Sequence, residues 1–115
     1  MSTSAPSRGE VWDLSLDQTI GHEQAGSRPA LILSVDIFNA GPADLVIVIP
    51  ITRTERKVRW HVPVKPPEGG LVAESFIQCE NVRSVSRLRV KRLRGRVSES
   101  TLQQVEDRVR ILLGL

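Results

Sequence analysis

Two short apolar runs rich in β-branched residues restrict this chain to a fold built on β-strands. The runs are "ALILSV" at 30–35 and "LVIVIPIT" at 45–52, and both are too short and too β-branched for buried helices. Their nearly continuous apolar character predicts central strands that are buried on both faces. The segment between them, "DIFNAGPAD", holds Asn39, Gly41 and Pro42, which together predict a turn.

Four more mixed segments predict shorter strands around these two. They read "RGEVWDL", "RWHVPV", "SFIQCENV" and "RLRVKRL". Pro63 in the second segment places that strand at an edge of the sheet, where a missing N–H breaks no ladder. In the fourth segment Leu88, Val90 and Leu93 are expected to face the core.

Only the C-terminal segment has the period of a long amphipathic helix. Ser98 or Ser100 can cap its first turn, and its apolar face is formed by Leu102, Val105, Val109 and Leu112. The predicted fold class is therefore mainly β (α+β), a compact barrel or strongly bent sheet with one C-terminal helix. At 115 residues the chain fits one domain, with a flexible N-terminus at 1–7 and the folded part at 8–115.

Composition excludes several classes of function. No apolar stretch approaches the roughly 20 residues that cross a bilayer, and the N-terminus lacks the apolar segment of a secretory signal. We therefore expect a cytoplasmic protein with no membrane contact. The single cysteine, Cys79, cannot form an internal disulfide and is expected in the core. The two histidines, His22 and His61, have no ligand spacing around them, so neither a metal nor another cofactor is expected.

Basic residues are concentrated in two segments. "RSVSRLRVKRLRGR" at 83–96 holds no acid and is rich in arginine, the residue that favours bidentate contacts with phosphate or carboxylate. Two interpretations stay open, a surface that grips an anionic partner and a solvated strand face. The second segment, at 53–59, follows the apolar run at 45–52 and carries Arg53, Arg56, Lys57 and Arg59.

The polar loop "GHEQAGSRP" at 21–29 leads directly into the first apolar run. Pro29 disfavours helical geometry at Arg28 and so fixes the direction in which that arginine enters the strand. With "RGEVWDL", "PIT" at 50–52 and "LQQVEDRVRILLGL", in this order and spacing, the loop resembles the MazF/PemK family of toxins from type II toxin–antitoxin systems. The resemblance extends from Arg8 to Leu115.

That resemblance implies an SH3-like barrel of the MazF/PemK/CcdB type that forms a homodimer. It also implies a metal-independent endoribonuclease that cleaves single-stranded RNA through 2′-OH attack, leaving a 2′,3′-cyclic phosphate and a 5′-OH. A cognate, MazE-like antitoxin with an acidic C-terminal tail would inhibit it. Two alternatives remain, a CcdB-like toxin that binds a protein target and a non-catalytic RNA-binding barrel.

The resemblance further implies catalytic roles for Arg28 and Thr52, which would stabilise and position the scissile phosphate. From the residues alone, an ordinary β-branched strand residue is the favoured interpretation of Thr52. For Arg28 the alternative is a surface salt bridge with Glu23. Glu23 is the candidate acceptor of the 2′-OH proton. His22 has the pKa better suited to that transfer near neutrality, although related sequences often carry Ser at its position.

Further residues are candidates for contacts with RNA, whose splayed bases are read by stacking and by hydrogen bonds to their edges. Asn39 is a candidate reader of a base edge. Trp60 can stack on a base, or it can pack in the core or in a dimer interface. The full set of binding candidates is His22, Gln24, Asn39, Arg53, Arg56, Trp60, Gln78 and Asn81.

Overall fold

The computed structural model describes residues 5–15 and 26–115. Within those ranges the strands are β1 (Glu10–Ser15), β2 (Ser27–Ile32), β3 (Leu45–Thr52), β4 (His61–Val64), β5 (Ser75–Gln78), β6 (Arg83–Ser86) and β7 (Val90–Arg96). The α-helices there are α1 (Asp36–Asn39) and α2 (Glu99–Leu113). A mainly β fold with a C-terminal helix is thus confirmed.

All the strand pairs of the sheet are antiparallel. The order is β4-β5-β3-β2-β1-β7, and β6 pairs separately with β3. No pairing joins β4 to β7 in the described residues, so the sheet remains open rather than closing into a complete barrel. Pro63 lies in β4, the edge strand, as its missing N–H predicts.

The strand β2 begins three residues earlier than the apolar run that predicted it. Ser27 and Arg28 already pair with β1, opposite Ser15 and Leu14 respectively. Arg28 therefore belongs to the sheet, although the sequence pattern placed it in a polar loop. The same strand ends at Ile32, before the end of the apolar run.

Both faces of the inner parts of β2 and β3 contribute to the core, as their continuous apolar character predicts. Leu31 and Ile49 belong to a core cluster on one face, which α2 covers with Val105 and Val109. Alternate residues of the same strands, such as Ile32 and Val48, form a second cluster on the other face. No helix in the described ranges has the length and apolar character required to span a membrane.

The single cysteine lies in the first of these clusters. Cys79 is fully buried, which confirms its prediction as a core residue. Burial raises the pKa of its thiol to about 11. The thiol is therefore protonated at neutral pH and is not a nucleophile there.

The prediction that Leu88 and Leu93 face the core is wrong. Leu88 is 82% exposed and Leu93 is 49% exposed. Leu88 lies in a 3₁₀ turn, Arg87–Arg89, that separates β6 from β7, and the register of β7 against β1 shifts twice. Because each shift interrupts the alternation of side chains, only Val90 of the predicted three packs against a core cluster.

The helix α2 begins with a cap and a nearby carboxylate. The Ser98 side chain accepts a hydrogen bond from the Thr101 N–H, and the Glu68 carboxylate accepts one from the Ser98 N–H at 2.8 Å. Partial burial alone would raise the pKa of Glu68. Hydrogen bonds from Ser98 and Thr101 outweigh that effect, and the pKa is lowered from its ordinary 4.5.

A lowered carboxyl pKa means that ionised Glu68 stabilises the folded chain at neutral pH, and that this stability is lost as pH falls through the folded-state pKa. We expect Glu68→Gln to reduce the free energy of unfolding at pH 7 by about 0.5 kcal/mol, since solvent still screens a carboxylate that is only partly buried. Urea unfolding at pH 7 and pH 3 measures the difference. It should be smaller at pH 3 than at pH 7, because the carboxylate becomes protonated as pH falls below its ordinary pKa, and a difference of equal size at both pH values would contradict this role.

Asn39 closes the short helix α1, at a place where a plain turn was predicted. Its side chain is fully buried, and its Nδ2 donates to the carbonyl oxygens of Pro6, at 2.8 Å, and Ser34, at 3.0 Å. Its Oδ1 accepts from the Ser34 hydroxyl. The prediction that Asn39 reads an RNA base is therefore wrong, because its polar atoms bind the protein itself and do not reach the surface.

We expect Asn39→Ala to lower the free energy of unfolding by about 1–3 kcal/mol, because two buried carbonyl oxygens lose their donor. Urea unfolding measures this loss. The matched control is Asn81→Ala, at an exposed position, which should change stability by less than about 0.5 kcal/mol. Weaker RNA binding by Asn39→Ala at unchanged stability would contradict this structural role.

Candidate active site

Two prolines end the ladder between the central strands. Ala30 opposite Pro50 is the last pair between β2 and β3, and neither Pro29 nor Pro50 has an N–H to donate. Beyond this pair β2 remains bonded to β1, whereas Thr52 at the end of β3 pairs with Phe76 of β5. The two central strands therefore separate at this point and leave an opening between their ends.

Arg28 and Thr52 lie on the two sides of this opening. Each is two residues beyond the last pair, Ala30 and Pro50, along its own strand. Both line one open cavity of about 320 Å³. The structure thus brings together the two residues for which the resemblance implied a shared site.

The hydroxyl of Thr52 is oriented by the chain that follows β3. Its Oγ1 accepts a hydrogen bond from the Thr54 N–H at 3.1 Å, the local pattern of a threonine turn. A hydroxyl that accepts in this way keeps its own proton available for donation. Thr52 can therefore donate to an oxygen of a ligand in the cavity.

The cavity combines an apolar base with cationic walls. Ile51 and Leu71 are buried, while Arg28, Arg53 and Arg94 supply charge. No acidic residue of the described ranges lines it, so its field favours an anion. Its described lining consists of Ser27, Arg28, Pro29, Ile51, Thr52, Arg53, Thr54, Leu71, Val72, Ala73, Ser75 and Arg94.

Sequence reasoning did not identify Arg94 or its partner, Asp13. Asp13 is only 5% exposed and accepts a hydrogen bond from the Arg94 Nε at 2.6 Å. One signal was available in the sequence, since side chains of a strand alternate and Asp13 follows the core residue Val11 by two positions. A carboxylate on the inward side of β1 needs a cationic partner.

The other predicted RNA contacts are spread more widely. Arg53 lines the cavity, whereas Arg56 is exposed on the segment between β3 and β4. Gln78 ends β5 and Asn81 lies in the 3₁₀ turn after it, and neither lines the cavity. His22, Glu23 and Gln24 lie outside the described residues.

Trp60 is half-buried and belongs to neither core cluster. The guanidinium of Arg59 lies over its ring, 4.9 Å from the centroid, within the range of a cation–π contact. One face of the indole therefore already has a partner within the chain. Base stacking by Trp60 stays a prediction.

The basic segment at 83–96 is partly paired within the chain, which neither earlier interpretation anticipated. Arg87 contacts Asp44, both Arg92 and Arg94 contact Asp13, and Arg96 lies 3.7 Å from Glu10. Much of the segment thus ties β7 and the turn before it to other elements. Of its basic residues, Arg94 is the one that lines the cavity.

Comparison with known proteins supports one family. The family model described as "PemK-like, MazF-like toxin of type II toxin-antitoxin system" matches residues 7–113. The chain is 34% identical over 113 residues to endoribonuclease MazF9 of Mycobacterium tuberculosis, covering 94% of this chain and 96% of that one. It is 32% identical over 108 residues to endoribonuclease PemK of Escherichia coli, covering 92% and 80% respectively.

Solved structures agree with this assignment. A MazE–MazF crystal structure from Deinococcus radiodurans superposes with a TM-score of 0.85 at 28% identity, over 98% of this chain and 99% of that one. A MazF crystal structure from the same organism gives 0.82 at 27% identity, over 98% and 100%. Since the family model spans nearly the whole sequence and the fold agrees throughout, the chain belongs to the PemK-like, MazF-like toxins of type II toxin–antitoxin systems.

Proposed function

We propose that this protein is a toxin that cleaves single-stranded RNA at a preferred sequence without a metal ion. The observation that carries the proposal is the placement of Arg28 and Thr52 on two sides of one cationic cavity. The relatives named endoribonucleases support the same reaction class. A protein that only bound a target would not need this pairing of a guanidinium and a hydroxyl.

The proposed reaction uses the RNA's own ribose as nucleophile. The 2′ oxygen attacks the adjacent phosphorus, a P–O2′ bond forms and the P–O5′ bond breaks. The 2′-OH proton passes to a base on the protein, and the departing 5′ oxygen takes up a proton. The products are a 2′,3′-cyclic phosphate and a 5′-OH.

In this reaction Arg28 stabilises the charge that develops on the phosphorane. Its guanidinium can donate two parallel hydrogen bonds to the non-bridging oxygens, and Thr52 can donate a third. A guanidinium keeps its proton in proteins and is therefore a poor proton acceptor. Arg28 therefore acts through electrostatic stabilisation, which is commonly the largest contribution to such catalysis.

The base in our proposal is Glu23, which precedes Arg28 by five positions in the loop that leads into β2. Its carboxylate would accept the 2′-OH proton. His22 is the alternative, since an imidazole titrates near neutral pH. Gln24 would contact the RNA or organise the loop, because an amide side chain does not exchange protons in this range.

RNA would continue from the cavity along the neighbouring basic surface. Arg53 and Arg56 follow Thr52 directly and can bind backbone phosphates, with Trp60 as a stacking platform and Gln78 and Asn81 as further polar contacts. An enzyme that acts on cellular RNA works in the cytoplasm, which is the compartment we propose.

We also propose two protein partners. Relatives have been solved as MazE–MazF complexes, and an acidic antitoxin tail would suit the cationic cavity described above. A homodimer would bury apolar side chains that the single chain exposes. Candidates for that surface are Val35, Ile37, Leu88, Leu93, Ile111, Leu113 and Leu115.

We expect the purified protein to cleave single-stranded RNA in the presence of EDTA. Arg28→Ala should reduce the rate by about 10²- to 10³-fold, because one preorganised donor group is lost. Thr52→Ala should also lose activity, and Thr52→Ser, which keeps the hydroxyl, should recover most of it. The measurement is the cleavage rate, and labelling of product ends by a kinase without prior phosphatase treatment tests for the 5′-OH.

The matched control is Arg110→Ala, since Arg110 is an exposed arginine of α2 that pairs with Asp107 away from the cavity. It should cleave at the wild-type rate. Loss of cleavage in EDTA, or full activity of Arg28→Ala, would overturn the proposal. Tight RNA binding without cleavage would indicate a non-catalytic RNA-binding barrel, and the absence of both would favour a toxin that binds a protein target.

A further inference from the structure

Arg94 reaches the cavity through an irregularity in β7. Val11 pairs with Gly95, and the next residue of β1, Trp12, pairs with Leu93. Arg94 is therefore an extra residue between two successive pairs, which is the geometry of a β-bulge. A bulge changes the direction of the side chain that it carries and is frequent beside functional sites.

The guanidinium of Arg94 is held in a fixed orientation. Its Nε donates to Asp13 Oδ1 at 2.6 Å, and its Nη1 donates to the Gly70 carbonyl at 3.3 Å. Neither of these hydrogen bonds uses the other terminal nitrogen of the guanidinium, Nη2. An arginine fixed in this way can donate to a ligand without losing further side-chain freedom, which is the condition for strong electrostatic recognition.

The backbone on either side of Arg94 packs closely against the turn at Glu68–Gly70. A Cβ added at Gly70, whose φ is +68°, would lie 2.1 Å from the Arg94 carbonyl oxygen. A Cβ added at Gly95 would lie 2.7 Å from the Gly70 nitrogen. Two glycines thus allow the turn at Glu68–Gly70 to pack directly against the bulge and to present the carbonyl that anchors the guanidinium.

The need to neutralise the carboxylate of Asp13 does not by itself explain why an arginine occupies position 94. Arg92 already places its Nε 3.4 Å from the other carboxylate oxygen of Asp13, and a buried ion pair generally adds little to stability. The side chains of the two arginines differ in exposure, with Arg92 73% exposed and Arg94 22% exposed. Only Arg94 lines the cavity shared with Arg28, where the described residues supply three arginines, Arg28, Arg53 and Arg94, against the one carboxylate of Asp13.

We propose that Arg94 is a substrate-binding residue that contacts a backbone phosphate of single-stranded RNA, next to the phosphate held by Arg28 and Thr52. This inference rests on the proposed function, because it assigns a second anion contact within the same cavity. In this arrangement Asp13 and the Gly70 carbonyl orient the guanidinium, and Nη2 faces the ligand.

The test measures binding of a single-stranded DNA oligonucleotide, which lacks the 2′-OH nucleophile and so stays intact, over a range of salt concentrations. Each phosphate contact on a single strand contributes about 0.7 to the slope of log K against log salt. We expect Arg94→Ala to reduce that slope by about 0.7 and to weaken binding about tenfold at low salt. Arg92→Ala, which removes the neighbouring partner of Asp13, is the matched control and should leave the slope unchanged.

A purely structural role for Arg94 would give a different result. An unfolded fraction multiplies every apparent Kd by one factor and leaves the slope unaltered, so the slope reports phosphate contacts and not stability. Arg94→Lys keeps the charge and should restore most of the slope. An unchanged slope for Arg94→Ala, or an equal reduction for Arg92→Ala, would overturn the inference. If either result is found and the wild type still cleaves RNA, the proposed function stands without a role for Arg94. If the wild type neither cleaves RNA nor binds the oligonucleotide, the proposed function fails as well.

Discussion

The site depends on the point at which the central ladder of the sheet ends. Ala30 and Pro50 form the last pair between β2 and β3, and prolines at 29 and 50 supply no further donors. Each strand then stays anchored to a different neighbour, β2 to β1 and β3 to β5. Because the inner parts of both strands are anchored in the core, Arg28 and Thr52 are held by the sheet on either side of the opening.

The way in which the ladder ends explains why the two candidate catalytic residues lie on strands. Arg28 is paired within the sheet, opposite Leu14, and Thr52 is fixed by its pairing with Phe76 and by the Thr54 N–H. Groups held on a sheet are positioned more accurately than groups held on loops. In the proposed reaction the segment that precedes Arg28 contributes the base and contacts specific to the RNA, while the sheet supplies the charge stabilisation.

Local pattern predicted the parts of the structure in which side chains follow a regular period. The apolar runs gave β2 and β3 correctly as central strands, and the heptad-like spacing around Val105 gave α2. Leu93 was assigned wrongly because shifts of register in β7 break that period. Asn39 was misread because its partners, such as the Pro6 carbonyl, are distant in the sequence. Arg94 was not identified for the same reason, since Asp13 and Gly70 become its neighbours only in the folded chain.

In the proposed complex, Arg28 and Thr52 hold one phosphodiester between them. The most direct measurement is a crystal structure of the protein with a single-stranded RNA whose ribose at the cleavage position is 2′-deoxy and therefore inert. We expect non-bridging oxygens of one phosphate within about 3 Å of both the Arg28 guanidinium and Thr52 Oγ1. RNA bound on another surface, or two different phosphates on these two residues, would contradict it.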